Sequence, residues 1–220
     1  MLHLYDTARG EVIPFEPRDP GKVSMYVCGP TVYGPAHLGH GRFALVFDVL
    51  RRYLEWSGLE VRLVSNITDI EDKIIERAQR EGRPWQDITT KCEAIWWRAM
   101  DAVDFRRPTD VPHATELVEQ MVEMIGELID RGAAYHTDDG IYMAVESVPD
   151  YGLLAHQSVD EMRSGGGDRE VVGAAGKRHP ADFVLWKFSK PGEPSWPSPW
   201  RPSSSGGGPM PAWWHCRWWW

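Results

Sequence analysis

The sequence predicts an α/β protein built on a parallel sheet, and three features carry this prediction. A short β-branched and aromatic run, residues 23–27 (VSMYV), precedes a stretch with apolar residues at helical spacing. Ser57-Gly58 then ends the helix, and a second strand-like run, residues 60–65 (EVRLVS), begins directly afterwards. This order is a βαβ unit, in which the strands are parallel and ligands bind beyond their carboxyl ends.

A second helix is predicted after the βαβ unit. Thr68 followed three residues later by Glu71 is a capping-box pattern, so this helix is expected to begin near Asp69 and to end near Gly82. Acidic residues are favoured in the first turn of a helix. The charged residues here are therefore expected to form a solvated helix start: Asp69, Glu71, Asp72 and Lys73.

Two more helices and a hairpin follow. Residues 85–103 and 115–130 are predicted helices, the second ended by Gly132, and residues 135–145 (YHTDDGIYMAV) are typical of a hairpin. The hairpin interrupts the alternation of strands and helices, which indicates an inserted lobe over residues 115–190. The apolar face of the first of these helices is predicted to be core: Ile88, Cys92, Ile95, Trp96, Ala99 and Val103.

The chain divides into three predicted segments. Residues 1–114 form the first half of a nucleotide-binding domain, and residues 115–200 form an insertion and a return segment, with a soft linker at residues 164–168 (SGGGD). Residues 201–220 are a low-complexity tail that holds five Trp in its last eight positions. We interpret this tail as the product of a frameshift or an assembly error, since a Trp cluster would expose apolar surface without supplying a fold.

Composition excludes several classes of protein. The chain has 220 residues, of which 42% are hydrophobic, and a formal net charge of −8. This negative charge argues against nonspecific binding to a nucleic acid backbone. It shows neither a membrane-length apolar run nor a secretory signal, and its three cysteines have no paired spacing. A cytoplasmic protein is therefore expected.

The turn between the first strand and the first helix carries the candidate chemistry. Residues 35–40 (PAHLGH) fall at a helix start, where free N–H groups and the helix dipole favour an anion and imidazoles can donate to phosphate oxygens. Gly39 and Gly41 leave room for a ligand to approach the backbone. Taken alone, Cys28 is either a small buried residue at a strand end or a metal ligand.

Three long phrases in order resemble one family. Residues 25–42 (MYVCGPTVYGPAHLGHGR), 65–75 (SNITDIEDKII) and 182–200 (DFVLWKFSKPGEPSWPSPW) resemble the catalytic domain of cysteinyl-tRNA synthetase, a class I aminoacyl-tRNA synthetase. The likeness runs over residues 2–200, and residues 37–40 (HLGH) look like the HIGH signature of class I enzymes. The resemblance implies the first half of a Rossmann-like, HUP-type parallel sheet with an inserted α+β connective lobe.

The resemblance also implies roles for individual residues. His37 and His40 would be the catalytic residues that contact ATP and stabilise the transition state while the cysteine carboxylate attacks the α-phosphorus. Cys28 would ligate a zinc ion that accepts the substrate thiolate and so rejects serine. The implied residues around ATP and cysteine are Gly29, Thr31, His37, Gly39, His40 and Thr68.

The sequence departs from the family after Trp200. The other zinc ligands and the KMSKS loop of the family are not found in register, and Glu71 stands where the family usually has Asp. We therefore interpret the chain as an incomplete and inactive copy of a monomeric, cytoplasmic enzyme that uses cysteine, ATP with Mg²⁺ and tRNA(Cys), without a membrane partner. Two alternatives stay open: the related cysteine ligase of mycothiol synthesis and a non-catalytic binding fragment.

Overall fold

A computed structural model describes residues 2–158 and 176–200 together with the backbone of residues 209–211. The chain has a mixed α/β fold that separates into two compact units. One unit is Glu16–Leu117, and the other combines the segment up to Phe15 with the described residues from Val118 onward. The predicted linker at residues 164–168 and most of the predicted tail lie outside the described residues.

The Glu16–Leu117 unit contains the predicted βαβ arrangement. Two strands, β3 (Lys22–Tyr26) and β4 (Glu60–Val64), pair in parallel along their full length, and α1 (Leu38–Trp56) connects them. Gly58, with φ of +89°, turns the chain from the helix into β4, because glycine adopts this left-handed conformation without a steric penalty. The predictions of the strand, helix and strand are confirmed.

A third extended segment, residues 109–113, continues the parallel sheet beside the end of β4. Val64 bridges Asp110 and Ile67 bridges His113, both in parallel. The sequence predicts no strand here, since Pro108 and Pro112 lack the N–H that a regular ladder needs. The connection from β4 to this segment contains two helices, α2 (Asp72–Glu81) and α3 (Trp85–Asp101).

The predicted start of α2 is wrong by one turn. The helix begins at Asp72 with Glu71 as its N-cap residue, and Thr68 lies before it in extended backbone. Gly82, with φ of +60°, ends the helix as predicted. The capping-box pattern fails because the main-chain groups of Thr68 pair with the loop that follows β3.

The core of this unit lies where α2 and α3 pack with the loop after β3. Cys92 is 3% exposed, which confirms its prediction as a core residue. Val103 is 43% exposed and lies beyond the end of α3, so its assignment to the same apolar face is wrong. The buried cluster consists of Val32, Ile67, Ala78, Ile88 and Cys92.

The other unit is antiparallel. A hairpin pairs β1 (His3–Asp6) with β2 (Glu11–Pro14). From Val118 onward the unit contains α4 (Val118–Asp130), β5 (Ala134–His136), β6 (Gly140–Met143), β7 (Phe183–Phe188) and β8 (Pro209–Pro211). These four strands form a second sheet in the order β5-β6-β7-β8, and the first two of them form the hairpin predicted around Asp139-Gly140.

Two further details differ from the sequence prediction. The helix predicted from residue 115 starts as a 3-10 turn, Ala114–Leu117, and becomes α-helical at Val118. The predicted low-complexity tail contributes β8, an edge strand where two prolines are tolerated, and the sequence predicts no strand there. No helix in the described part of the chain is both long enough and apolar enough to span a membrane.

Candidate active site

The loop that follows β3 carries Cys28 at its start, and its backbone lies directly against the loop that follows β4. A Cβ atom on Gly29 would lie 1.5 Å from the carbonyl oxygen of Asn66, so only glycine fits at this position. The N–H of Gly29 donates to Oδ1 of Asn66 at 2.9 Å. Cys28 is exposed at the carboxyl end of β3, which excludes the alternative that it is a small buried residue.

Asn66 holds three groups of this site together. Its Oδ1 also accepts a hydrogen bond from the hydroxyl of Tyr26 at 2.8 Å, and its Nδ2 donates to Oγ1 of Thr68 at 3.0 Å. The side chain is 6% exposed, so these hydrogen bonds satisfy an amide that would be costly to bury unpaired. No motif in the sequence singles out Asn66, although it is a polar residue directly after the strand predicted over residues 60–65, where ligands of a parallel sheet bind.

Thr31 and Thr68 are brought together across the two loops. They form a parallel β-bridge, in which the N–H of Thr68 donates to the carbonyl of Pro30 at 2.9 Å and the N–H of Val32 donates to the carbonyl of Thr68 at 3.1 Å. Gly29 therefore lies beside both threonines, at the carboxyl ends of β3 and β4. The three residues proposed from the resemblance to surround cysteine form one contiguous group.

The two histidines of the signature stack on each other at the start of α1. Their ring centroids are 3.7 Å apart with an interplanar angle of 21°. His37 is the N-cap residue, and its backbone N–H donates to Nδ1 of His40 at 3.1 Å. The His40 ring also makes a T-shaped contact with Trp96 of α3, with 5.5 Å between the ring centroids.

Two effects lower the pKa of His40 below its ordinary value: burial of the ring comes first and the neighbouring charge of His37 second. The hydrogen bond acts in the same direction, since an Nδ1 that accepts from a backbone N–H cannot also carry a proton. The favoured form is therefore the neutral imidazole with its proton on Nε2. This tautomer presents one N–H donor to a ligand.

Gly39 makes room for the ring of His37. A Cβ atom on Gly39 would lie 3.0 Å from Cε1 and 3.1 Å from Nδ1 of His37, closer than ordinary contacts allow. Gly41 has open space at the same test position. The small size of Gly39 thus serves the histidine stack itself, in addition to any ligand.

Two of the acidic residues after Thr68 are buried, so the prediction that they belong to a solvated helix start is wrong for these two. Asp69 is 8% exposed and accepts hydrogen bonds from both the N–H and the hydroxyl of Thr115. Glu71 is 6% exposed and neither of its carboxylate oxygens has a hydrogen-bond partner in the described part of the chain. Burial raises the pKa of Glu71.

The donor set around Cys28 does not match a zinc site. Structural and catalytic zinc ions take three or four protein ligands from Cys, His, Asp and Glu. Within residues 2–158 and 176–200, no three such side chains gather closely enough to hold a metal ion. The described residues therefore contribute the single thiol of Cys28 and do not by themselves fit the ion.

A family model and two curated relatives point to the same family. The family model described as "tRNA synthetases class I (C) catalytic domain" matches residues 14–216. A protein named Cysteine--tRNA ligase from Sodalis glossinidius (strain morsitans) is 46% identical over 201 residues, which are 91% of this chain and 43% of the relative. Another of the same name, from Trichlorobacter lovleyi, is 47% identical over 199 residues, which are 90% of this chain and 40% of the relative.

A solved structure of Mycobacterium tuberculosis methionyl-tRNA synthetase in complex with methionyl-adenylate is 18% identical, with a TM-score of 0.47, and the match covers 56% of this chain and 25% of that one. The chain spans 40–43% of the length of the two curated relatives. The family model matches well over half of the residues, across the loops that hold Cys28, Thr68 and the stacked histidines. The chain therefore belongs to the family of class I (C) tRNA synthetase catalytic domains.

Proposed function

We propose that this chain provides part of the catalytic domain of an ATP-dependent cysteine–tRNA ligase. Its substrates would be cysteine, ATP with Mg²⁺ and tRNA(Cys), and the whole enzyme would be a monomer of the cytoplasm. The observation that carries this proposal is the pair His37 and His40 at the N-terminus of α1, in a chain 46% identical to a relative named Cysteine--tRNA ligase.

The first step is formation of cysteinyl-adenylate. A carboxylate oxygen of cysteine attacks the α-phosphorus of ATP, the bond to the bridging oxygen breaks, and pyrophosphate leaves with Mg²⁺. The 3′-terminal ribose hydroxyl of the tRNA then attacks the acyl carbon, and AMP leaves. Neither step needs a covalent enzyme intermediate, so the site acts by positioning and by stabilising charge.

His37 and His40 would supply that stabilisation. The tautomer favoured for His40 directs an Nε2 proton away from the hydrogen bond that its Nδ1 accepts. The backbone N–H groups in the first turn of α1 add the positive end of the helix dipole. The imidazole N–H and the helix dipole together favour the binding of phosphate oxygens at the carboxyl edge of the sheet.

Cysteine would bind next to this group, against Gly29, Thr31 and Thr68. The pairing of the two loops holds these residues in a fixed arrangement, and the missing Cβ of Gly29 permits the close approach of the backbones. A fixed polar pocket excludes competing amino acids better than an apolar one, because a mismatched substrate leaves buried polar groups unpaired.

We propose Cys28 as one ligand of a zinc ion that would select cysteine by binding its thiolate. The thiol is exposed at the carboxyl edge of the parallel sheet, although the described residues bring no second and third ligand to it. In an enzyme that contains this segment, Cys28→Ser is expected to lower both the zinc content and the preference for cysteine over serine.

The function is tested in a chimera in which this chain replaces the matching segment of the Sodalis glossinidius ligase. We expect cysteine-dependent exchange of pyrophosphate into ATP, and a loss of about 100-fold in its rate for His40→Asn, as for the removal of other transition-state donors. The control is His136→Asn, an exposed histidine of the other unit. A folded chimera without exchange would contradict the proposal. The 220-residue chain alone is expected to catalyse no exchange.

A further inference from the structure

Arg77 of α2 connects three elements of the Glu16–Leu117 unit through one guanidinium group. Its Nη1 donates to the backbone carbonyl of Tyr33 at 2.6 Å and lies 3.5 Å from Sγ of Cys92 on α3. Its Nε pairs with Oε1 of Glu81 at 2.6 Å. The Arg77 side chain is 26% exposed, so these contacts form at the margin of the core.

Tyr33 lies in the loop that leads from β3 to the histidines. Val32, its neighbour, is 2% exposed and packs in the core between α2 and α3. Ala36 packs against the cluster formed by Ala44, Trp96 and Met100. The Tyr33 carbonyl lies between these two anchors, and Arg77 is the side chain that binds it.

The contact depends on the shape of the arginine head group. A guanidinium presents its donors in a rigid planar fork, so Arg77 can bind Glu81 through Nε while Nη1 binds the loop. A lysine ammonium has the same charge but is a single point donor. It cannot reproduce both contacts in this geometry.

We propose that Arg77 is a positioning residue for the histidine pair, because it fixes the Tyr33 carbonyl and with it the path of the backbone into His37 and the first turn of α1. Fixing this path keeps the two imidazoles stacked and keeps the backbone N–H of His37 on Nδ1 of His40. The inference that the histidine stack matters for ATP binding rests on the proposed function. The arrangement itself can be measured without any substrate.

The test uses NMR titration of the histidine side chains in the 220-residue chain. In Arg77→Met and in Arg77→Lys we expect the pKa of His40 to rise toward its ordinary value. Looser stacking would leave the His40 ring less buried and farther from the charge of His37, and these are the two effects that lower its pKa. Arg80→Met is the matched control, an exposed arginine of the same helix, and it should leave the pKa of His40 unchanged. Arg77→Lys, which keeps the charge and the aliphatic stem, decides the question if Arg77→Met does not fold.

A second measurement separates this inference from the proposed function. Mg²⁺-ATP is titrated into the chimera that tests the proposed function and into its Arg77 variants, and we expect about tenfold weaker binding for both variants, a change of about 1.4 kcal/mol. A pKa of His40 that is identical in wild type and in a folded Arg77 variant would overturn the positioning role. If the pKa of His40 shifts in the Arg77 variants but the chimera itself binds no ATP, Arg77 retains its positioning role and the proposed function fails.

Discussion

The backbone N–H of His37 donates to Nδ1 of His40, and the two imidazole rings stack with their centroids 3.7 Å apart. This contact uses a nitrogen of a signature histidine to cap its own helix. The cap removes Nδ1 from any role toward a ligand and leaves Nε2 as the group that can act. The His40 ring is thus held in its orientation by the backbone N–H of His37 at the start of α1.

Gly39→Ala is expected to disturb the stack without weakening the fold. The new methyl group would lie 3.0 Å from Cε1 of His37, so the ring must move, while alanine is a better helix former than glycine by about 1 kcal/mol. Histidine NMR should show the pKa of His40 rising toward its ordinary value as the charge of His37 moves away. Gly41→Ala, with open space at its Cβ position, is the control. Identical titration curves for both variants would contradict this prediction.

Gly29→Ala is expected to destabilise the Glu16–Leu117 unit by at least about 2 kcal/mol. Its Cβ would lie 1.5 Å from a backbone oxygen of Asn66, which cannot move without breaking the bridge between Thr31 and Thr68. Urea unfolding measures the change. Gly34→Ala in the same loop has nothing within 4 Å of its Cβ position and should change the free energy of unfolding by less than about 0.5 kcal/mol.

The βαβ unit was predictable because its local signals agree with its long-range pairing. Residues 23–27 favour a strand through their side chains, and Ser57-Gly58 ends the helix at the point where β4 must begin. The signature turn could likewise be placed at the carboxyl edge of the sheet. In these segments the structure favoured by the local sequence is the one that the tertiary structure requires.

The errors arise where distant partners decide the local structure. Thr68 matches a capping box by spacing, but its backbone binds Pro30 and Val32, which lie more than thirty residues earlier in the chain. Residues 109–113 pair in parallel with the end of β4 although Pro108 precedes them and Pro112 lies among them. The N–H groups of Thr109 and Asp110 donate to the carbonyl of Leu63, and the carbonyl of Asp110 accepts from the N–H of Ser65. A pattern of neighbouring residues does not contain these contacts, and the same holds for Asn66 and Arg77 in the site.

His113 is expected to make stability depend on pH in a definite direction. Burial acts to lower its pKa, but the hydrogen bond and charge of Glu93, with the charges of Asp69 and Glu116, outweigh burial and raise the pKa above 6.5. The protonated ring therefore stabilises the folded state. This contribution is fully present below about pH 6.5, the unfolded value, and is lost as pH rises through the folded pKa.

His113→Gln tests this dependence. The difference in unfolding free energy between wild type and variant should be largest at pH 5.5–6 and should shrink above neutral pH, as measured by urea unfolding across the range. Glu93→Gln is the companion variant, because it removes the partner whose oxygen lies 3.0 Å from Nε2. It should reduce the same pH dependence, and a difference that grows with pH in either variant would contradict the assignment.

Asp182 is expected to be the most sensitive carboxylate in the antiparallel unit. It is 2% exposed and accepts three hydrogen bonds: Oδ2 accepts from the Tyr135 hydroxyl at 2.6 Å and the His179 N–H at 2.9 Å, and Oδ1 accepts from the Val145 N–H at 2.9 Å. These bonds tie the segment before β7 to β5 and to the residues after β6. In Asp182→Asn one oxygen becomes an NH₂ group that must face a donor, whichever way the amide is turned.

The expected cost of Asp182→Asn is about 2–3 kcal/mol, since at least one buried N–H loses its acceptor and meets another donor instead. Urea unfolding gives the total, and amide hydrogen exchange at Val145 and His179 shows which bond is lost. Turning the amide to keep two acceptor contacts on its oxygen leaves Val145 unpaired, so the faster exchange should appear there. Asp150→Asn, an exposed carboxylate of the same unit, should cost less than about 0.5 kcal/mol. Equal costs for the two variants would show that the three hydrogen bonds of Asp182 do not hold this unit together.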